Sequence, residues 1–405
     1  MGNSRSTGDY LKDAMKYFDP SRRALARAYR PYRYAALASS LLFDLVFVSL
    51  FMFTSAGPRL LALTPVWLGA TPRAVVWASI VVLLYGVLGL PLSFVAGYVW
   101  PRRFGLVHHS ERQWLKDRLL SLALAIMVGA LGALVFEWLL INLPALWWLY
   151  GAGASFLLSA LATLIAPVLL MPLFNKFTRM PQGKFRDELL DMARRSGTPV
   201  TDVFIMDMSR RTTTANAMLA GLGKTRRMIV GDTLLSSFPP DEVKVVMAHE
   251  LAHHHYRHIP KSLGLAALCL PPIFWITQRV SHLFGAHAGI DPPDPAFLGI
   301  IAGTVWALNL LGSPAMNRIS RYFEWQSDEF SLRVTGLDTQ YATMIARLYD
   351  GSLGDTDPPW VVRFFLYSHP PATERIAHAL EFARRQGPAP RGGRGRECGE
   401  PPEKS

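Results

Sequence analysis

Apolar residues gather in blocks along this chain instead of spreading evenly. Six stretches with almost no charge occupy 34–56, 75–100, 119–140, 144–174, 262–277 and 295–311. About 20 apolar residues cross a bilayer as a helix, so the six stretches predict six spans. The fifth is short and carries Pro271-Pro272, which predicts a broken or re-entrant helix. Between the fourth and fifth spans the pattern changes. "GKFRDELLDMARRSG" places Leu189, Leu190, Met192 and Ala193 on one side of an amphipathic helix. "VFIMDM" and "RMIVGD" predict short strands, and "ANAMLAGLG" a third, with a turn over 221–225. "SSFPPDEVKVVMAHELAHHH" starts a helix capped by Ser237 or Asp241, its two prolines lying where a first turn tolerates them. The pattern divides the chain into a basic segment (1–33), four spans (34–174), an insert (175–261), two spans (262–311) and a C-terminal part (312–385). After Gln386 the tail "GPAPRGGRGRECGEPPEKS" predicts disorder.

Charge assigns the two sides. The N-terminal segment carries Arg5, Lys12, Lys16, Arg22, Arg23, Arg27, Arg30 and Arg33. The loop after the second span adds Arg102, Arg103, Arg112, Lys116 and Arg118, whereas the opposite side has Arg59, Arg73 and Arg279. This positive-inside bias places both termini and 175–261 in the cytoplasm. The net charge of +12 therefore reports topology in the bilayer, and it fits nucleic-acid binding poorly because the charges flank spans. The polar N-terminus "MGNSRSTGDYLKDAMKYF" is no cleavable signal peptide, and its first residues match a weak myristoylation pattern. Cys269, in an apolar block, and Cys398, in the polar tail, make no disulfide framework. Asp44 and Glu137 fall inside spans one and three, where a carboxylate faces a cavity or serves function. For Glu137, near a span end, reaching the membrane interface is the alternative.

Within "VVMAHELAHHHYRH", His249-Glu250-Leu251-Ala252-His253 fits H-E-x-x-H. Residues four apart share a helix face, so His249 and His253 can reach one zinc ion. Glu250, turned about 100° from His249, can take a proton from a water at that ion. A catalytic zinc takes three protein ligands and keeps one position open. The third candidate is Glu324 in "NRISRYFEWQSDEF", with Asp328 one turn further able to hold a histidine through its other ring nitrogen. Spans five and six separate His253 from Glu324, so the chain crosses twice and returns to the same face. Eight residues separate His253 from Ser262, about 13 Å along a helix, which puts the zinc near the cytoplasmic membrane face or in a cavity opening to it. His254 and His255 point away from the His249–His253 face and are supporting or exposed. His258, before Pro260, suits a helix C-terminus.

The ordered motifs resemble the integral-membrane zinc metalloproteases of the CAAX prenyl endopeptidase type I family. They are "RRFGLVHHSERQWLKDRL", "IAPVLLMPLFNKFTRMPQGKFRDELLDMA", "TTTANAMLAGLGKTRRMIVGDTLL", "MAHELAHHHYRH", "NRISRYFEWQSDEF" and "SHPPATERI". The resemblance implies zinc on His249, His253 and Glu324, Glu250 as general base, and Asp328 supporting a ligand. It further implies Asn216 and Ala217 on an edge strand along which substrate lies. It also implies His369 and Arg375 near the oxyanion and the zinc network, although a turn histidine before Pro370 is the alternative for His369. A bacterial member is expected, and the basic N-terminal segment stands where the eukaryotic members begin with an extra span. The implied fold is mainly α. It is a polytopic membrane protein of about six spans around a chamber, with a small α+β zinc metalloprotease domain at the cytoplasmic face.

The expected protein is a membrane zinc endopeptidase with one zinc per chain. Its partners are the bilayer and a peptide or protein substrate, lipidated or membrane-inserted. A quality-control protease of the stress-response type is the alternative substrate reading. A membrane scaffold or transporter with a structural zinc is the alternative class, and it would need a fourth protein ligand.

Overall fold

The computed structural model describes residues 6–386 apart from Leu222. Residues 1–5 of the myristoylation pattern, Cys398 and the tail beyond Gln386 lie outside the described residues. In chain order the helices are α1 (Thr7–Ala14), α2 (Pro20–Phe53), α3 (Ala56–Leu61), α4 (Ala70–Arg103), α5 (Glu111–Asn142) and α6 (Trp147–Phe174). Strand β1 (Phe177–Arg179), α7 (Lys184–Arg195), β2 (Val203–Met206), β3 (Ala217–Ala220) and β4 (Arg227–Gly231) follow. The chain continues with α8 (Asp232–Ser237), α9 (Pro240–His255), α10 (His258–Ala288), α11 (Phe297–Thr335), α12 (Asp338–Gly351), α13 (Trp360–Leu366) and α14 (Ala372–Gln386).

Six of these helices, α2, α4, α5, α6, α10 and α11, are long and apolar enough to cross a membrane. Their outer faces expose Leu42, Leu88, Leu157, Leu161, Leu283 and Leu311. An apolar belt of that kind suits lipid as the solvent. The interior of the bundle is a cluster that includes Trp77, Leu140, Trp147, Phe274, Phe297 and Ile300. The fifth span is not broken. α10 runs for 31 residues through Pro271 and Pro272. Its Phe274 stacks on Phe136 and meets Trp147 edge-on, so neighbouring helices hold it straight where local sequence favours a break. α11 has 39 residues, about 58 Å, nearly twice a hydrocarbon core of about 30 Å. One rigid rod therefore carries both the sixth span and Glu324.

The carboxylates in the spans part company. Tyr85 donates to Asp44 Oδ1 at 2.7 Å beside a cavity of about 380 Å³ between α2, α4 and α5. Glu137 is fully buried, and neither of its oxygens accepts a hydrogen bond among the described residues, so it does not reach the interface.

The insert and the C-terminal part share a second core, including Leu189, Val230, Met247, Leu251, Tyr341 and Ile376. The strands form one sheet of order β1-β2-β4-β3. β2 and β4 are parallel, and the two outer pairings are antiparallel. β3 is thus an edge strand, and α9 packs against β3 and α11. Gly231 N–H donates to Asn216 O at 2.9 Å. By antiparallel alternation, Met218 continues that ladder while Ala217 and Leu219 turn their N–H and C=O to the open edge.

Two helix-end expectations fail here. The residue capping α9 is Pro239, with Asp241 inside the first turn and Ser237 ending α8. His258 opens α10 instead of closing the H-E-x-x-H helix, because Arg257 takes a left-handed conformation (φ 56°) and turns the chain sharply.

Candidate metal centre

α9 and α11 lie side by side, and their facing turns deliver His249, His253 and Glu324 to one point. One ligand atom from each lies within 4.8 Å of the others. His249 Nε2 is 3.3 Å from His253 Nε2 and 3.3 Å from Glu324 Oε2, and His253 Nε2 is 3.5 Å from Glu324 Oε1. Both histidines are oriented through the other ring nitrogen. His249 Nδ1 lies 2.9 Å from Asp328 Oδ1, and His253 Nδ1 lies 3.0 Å from His258 Nδ1. That leaves both Nε2 atoms turned inward, the arrangement a divalent metal needs. Two imidazoles and a carboxylate are a donor set that suits zinc and could hold it.

The support extends outward. Arg375 donates to both oxygens of Asp328, at 2.8 and 2.5 Å, and stands 3.7 Å from Glu324 Oε2. Asp328 and Arg375 are buried. His258 bonds Gln326 Oε1 at 3.1 Å and stacks on Phe323 with ring centroids 4.2 Å apart. His254 Nε2 lies 3.4 Å from Leu219 O on the edge strand, and His255 Nδ1 3.1 Å from Ser196 O. These two sit away from the inner face, as their helical positions predict.

Burial and neighbours set the charges. Burial disfavours a charged His249, but contacts with Asp328 and Glu324 outweigh it and lift its pKa to about 10. A metal must displace that proton, so metal uptake depends on pH. Burial, reinforced by His249, pulls His253 down to about 3. Burial pushes Glu250 up to about 7, inside the range useful to a general base.

A cavity of about 150 Å³ opens beside the ligands. Asn216, Ala217, His249, Glu250, Glu324, His369 and Arg375 all line it. His369 Nε2 points to Glu324 Oε1 at 3.4 Å while its Nδ1 meets Ser368 Oγ at 2.9 Å. It is therefore engaged at the site and not merely a turn residue. Sequence reasoning passed over what holds it there. From α11, Asn317 donates to Phe365 O and Arg321 to Tyr367 O, each at 2.6 Å. The signal was available, since 317 and 321 are four apart on the helix that carries Glu324 and Asp328.

Site and spans together define the class: an integral-membrane, multi-pass metalloprotease. Residues 179–383 match the model of peptidase family M48, and residues 9–176 match the CAAX prenyl protease N-terminal model with its five membrane helices. The chain belongs to peptidase family M48. A CAAX prenyl protease 1 homolog of rice (Oryza sativa subsp. japonica) is 30% identical over 300 residues, 73% of this chain and 70% of that protein. CAAX prenyl protease 1 of Saccharomyces cerevisiae is 28% identical over 313 residues, 72% of this chain and 68% of that protein. A Bacillus subtilis protein named uncharacterized metalloprotease YhfN is 28% identical over 303 residues, 72% of this chain and 69% of that protein. The crystal structure of S. mikatae Ste24p superposes with a TM-score of 0.77 at 24% identity, covering 89% of each chain. That likeness supports the fold.

Proposed function

We propose that the protein is an endopeptidase with one zinc ion per chain, held by His249, His253 and Glu324. The convergence of these ligands with Glu250, His369 and Ala217 on one cavity carries the reading. The bound ion would polarise the peptide carbonyl and make the attacking water more acidic. Glu250 takes the proton from that water and later passes it to the leaving amine. His369 donates from Nε2 to the developing oxyanion. Asp328 orients His249, and Arg375 fixes Asp328. The open N–H and C=O of Ala217, with Asn216 beside it, align an extended substrate by strand addition.

The loop charges support a cytoplasmic site with both termini on that side. The relatives named CAAX prenyl proteases support a lipidated peptide as substrate. The Glu250→Gln variant tests the mechanism. It should lose peptide cleavage while keeping zinc near one per chain, and unchanged cleavage would refute it. Comparing a farnesylated peptide with its unlipidated counterpart tests the substrate class, because equal rates would remove lipid from the recognition.

A further inference from the structure

One short helix of the C-terminal part leaves its apolar face largely uncovered. α13 has seven residues, and four of them, Trp360, Val361, Phe364 and Leu366, are exposed large hydrophobics. At about 100° per residue, Trp360, Val361 and Phe364 fall on one side of the helix. Trp360 is 74% exposed, whereas Trp77 and Trp147 in the span core are 2% and 0% exposed. An apolar face of this kind marks a contact with something outside the chain.

α13 sits at the depth of the membrane surface, because both of its flanks are tied to the ends of spans. Ahead of it, Tyr34 donates to Asp355 Oδ2 at 2.5 Å and Arg33 to Leu353 O at 2.8 Å. Tyr34 opens the first apolar stretch. At its other end, Asn317 donates to Phe365 O at 2.6 Å, and Ser313 Oγ lies 3.2 Å from the same oxygen. Ser313 is two residues past the sixth apolar stretch, about 3 Å along α11. α13 is therefore slung between spans one and six where both leave the hydrocarbon. The apolar belt of α11 reaches the same level, with Leu311 and Met316 exposed. Tryptophan suits this depth, since its ring meets acyl chains while its N–H meets water.

The charged residue of α13 is held by protein. Arg363 donates to both oxygens of Glu374 on α14, at 2.5 and 2.9 Å. That contact fixes the rotation of the helix, with Trp360, Val361 and Phe364 turned outward.

We propose that α13 lies in the bilayer surface, with Trp360, Val361 and Phe364 among the acyl chains of the leaflet next to the zinc site, and that the bilayer thereby positions His369. His369 follows α13 by three residues, and Arg321 donates to the intervening Tyr367 O at 2.6 Å. The lipid contact rests on the spans alone, whereas its effect on His369 rests on the endopeptidase reading above.

The test uses the full-length, zinc-loaded protein in lipid nanodiscs, with Cys269 and Cys398 replaced by serine. A fluorescent label on Phe364→Cys is compared with labels on Leu311→Cys, in a span, and Lys184→Cys, on the insert. Each is measured in ordinary lipids and in lipids brominated along the acyl chains. The label at Phe364 should be quenched as the one at Leu311 is, while the one at Lys184 is spared. Quenching closer to that at Lys184 overturns the lipid contact. A face turned into the bundle, or covered by a second copy of the chain, would give that result.

Cleavage of an unlipidated peptide in the same nanodiscs reads the coupling. Trp360→Glu forces a carboxylate into the acyl chains. It should lower kcat by roughly tenfold, part of the about 100-fold that an oxyanion donor is worth. KM and zinc content should stay near wild type, and Trp360→Phe should keep the rate. The loss should not add to that of His369→Gln, because both act through one group. Losses that multiply, or a fall in zinc content, overturn the coupling. No cleavage by the unaltered protein removes the endopeptidase reading, while the quenching still decides the lipid contact.

Discussion

Arg375 holds both oxygens of Asp328, and Asp328 Oδ1 lies 2.9 Å from His249 Nδ1. The pair is buried, so its members depend on each other. Lysine cannot reproduce a two-pronged contact with a carboxylate. Arg375→Lys should therefore loosen His249, lowering zinc affinity by about 10–100-fold. Breaking the buried pair should also cost about 3–5 kcal/mol of stability. Zinc titration and thermal unfolding check the two effects separately, and wild-type zinc affinity in the variant would show that Arg375 does not act through Asp328.

Glu250 sets the expected pH dependence. Burial raises its pKa to about 7, and it must be ionised to act as base. As pH falls through that pKa, the group takes a proton and kcat/KM falls, by up to tenfold per pH unit. A divalent cation beside the carboxylate favours the ionised form, so the midpoint of this limb should lie below 7 in the zinc-loaded protein. A pH–rate profile with a single peptide measures it. A flat profile from about pH 5 to 8 would remove Glu250 as the base.

Both effects concern residues whose roles the chain discloses unevenly. Ligand spacing is local on a helix, so His249, His253 and the Glu324/Asp328 face were legible without coordinates. The return of Glu324 was legible from loop charge and span count. His258 was misjudged because the H-E-x-x-H helix already ends at His255, and a left-handed Arg257 makes His258 the first residue of the next helix. β1 has only three residues, too few to show a period, and α8 ends just before the prolines that open α9. The continuity of α10 was hidden because Pro271-Pro272 marks a break locally, while Phe136 and Trp147, remote in sequence, keep the helix whole. The spacing of Asn317 and Arg321 marks a shared helix face, but their contacts with Phe365 and Tyr367 are long-range, so only folding reveals what that face holds.

The edge strand offers a test that leaves the ligands untouched. Ala217 pairs with Val230 at a position whose N–H and C=O face outward. Proline there removes one donor that the sheet does not use, and edge strands tolerate it. Ala217→Pro should keep zinc content and unfolding temperature close to wild type. It should lower kcat/KM by about fivefold to tenfold, the worth of one hydrogen bond. Undiminished cleavage would show that substrate does not pair with β3 at this residue.

Glu137 should behave in the opposite way, as a burden on the fold. It is fully buried on α5, and neither of its oxygens has a hydrogen-bond partner among the described residues. Burying an unpaired polar group costs about 1–3 kcal/mol. Glu137→Leu removes that cost while filling similar space, so the variant should unfold at a higher temperature in detergent. Its cleavage of a reference peptide should match wild type, because no hydrogen bond joins Glu137 to a zinc ligand among the described residues. Loss of cleavage with the gain in stability would instead make the carboxylate functional, retained against the stability of the bundle.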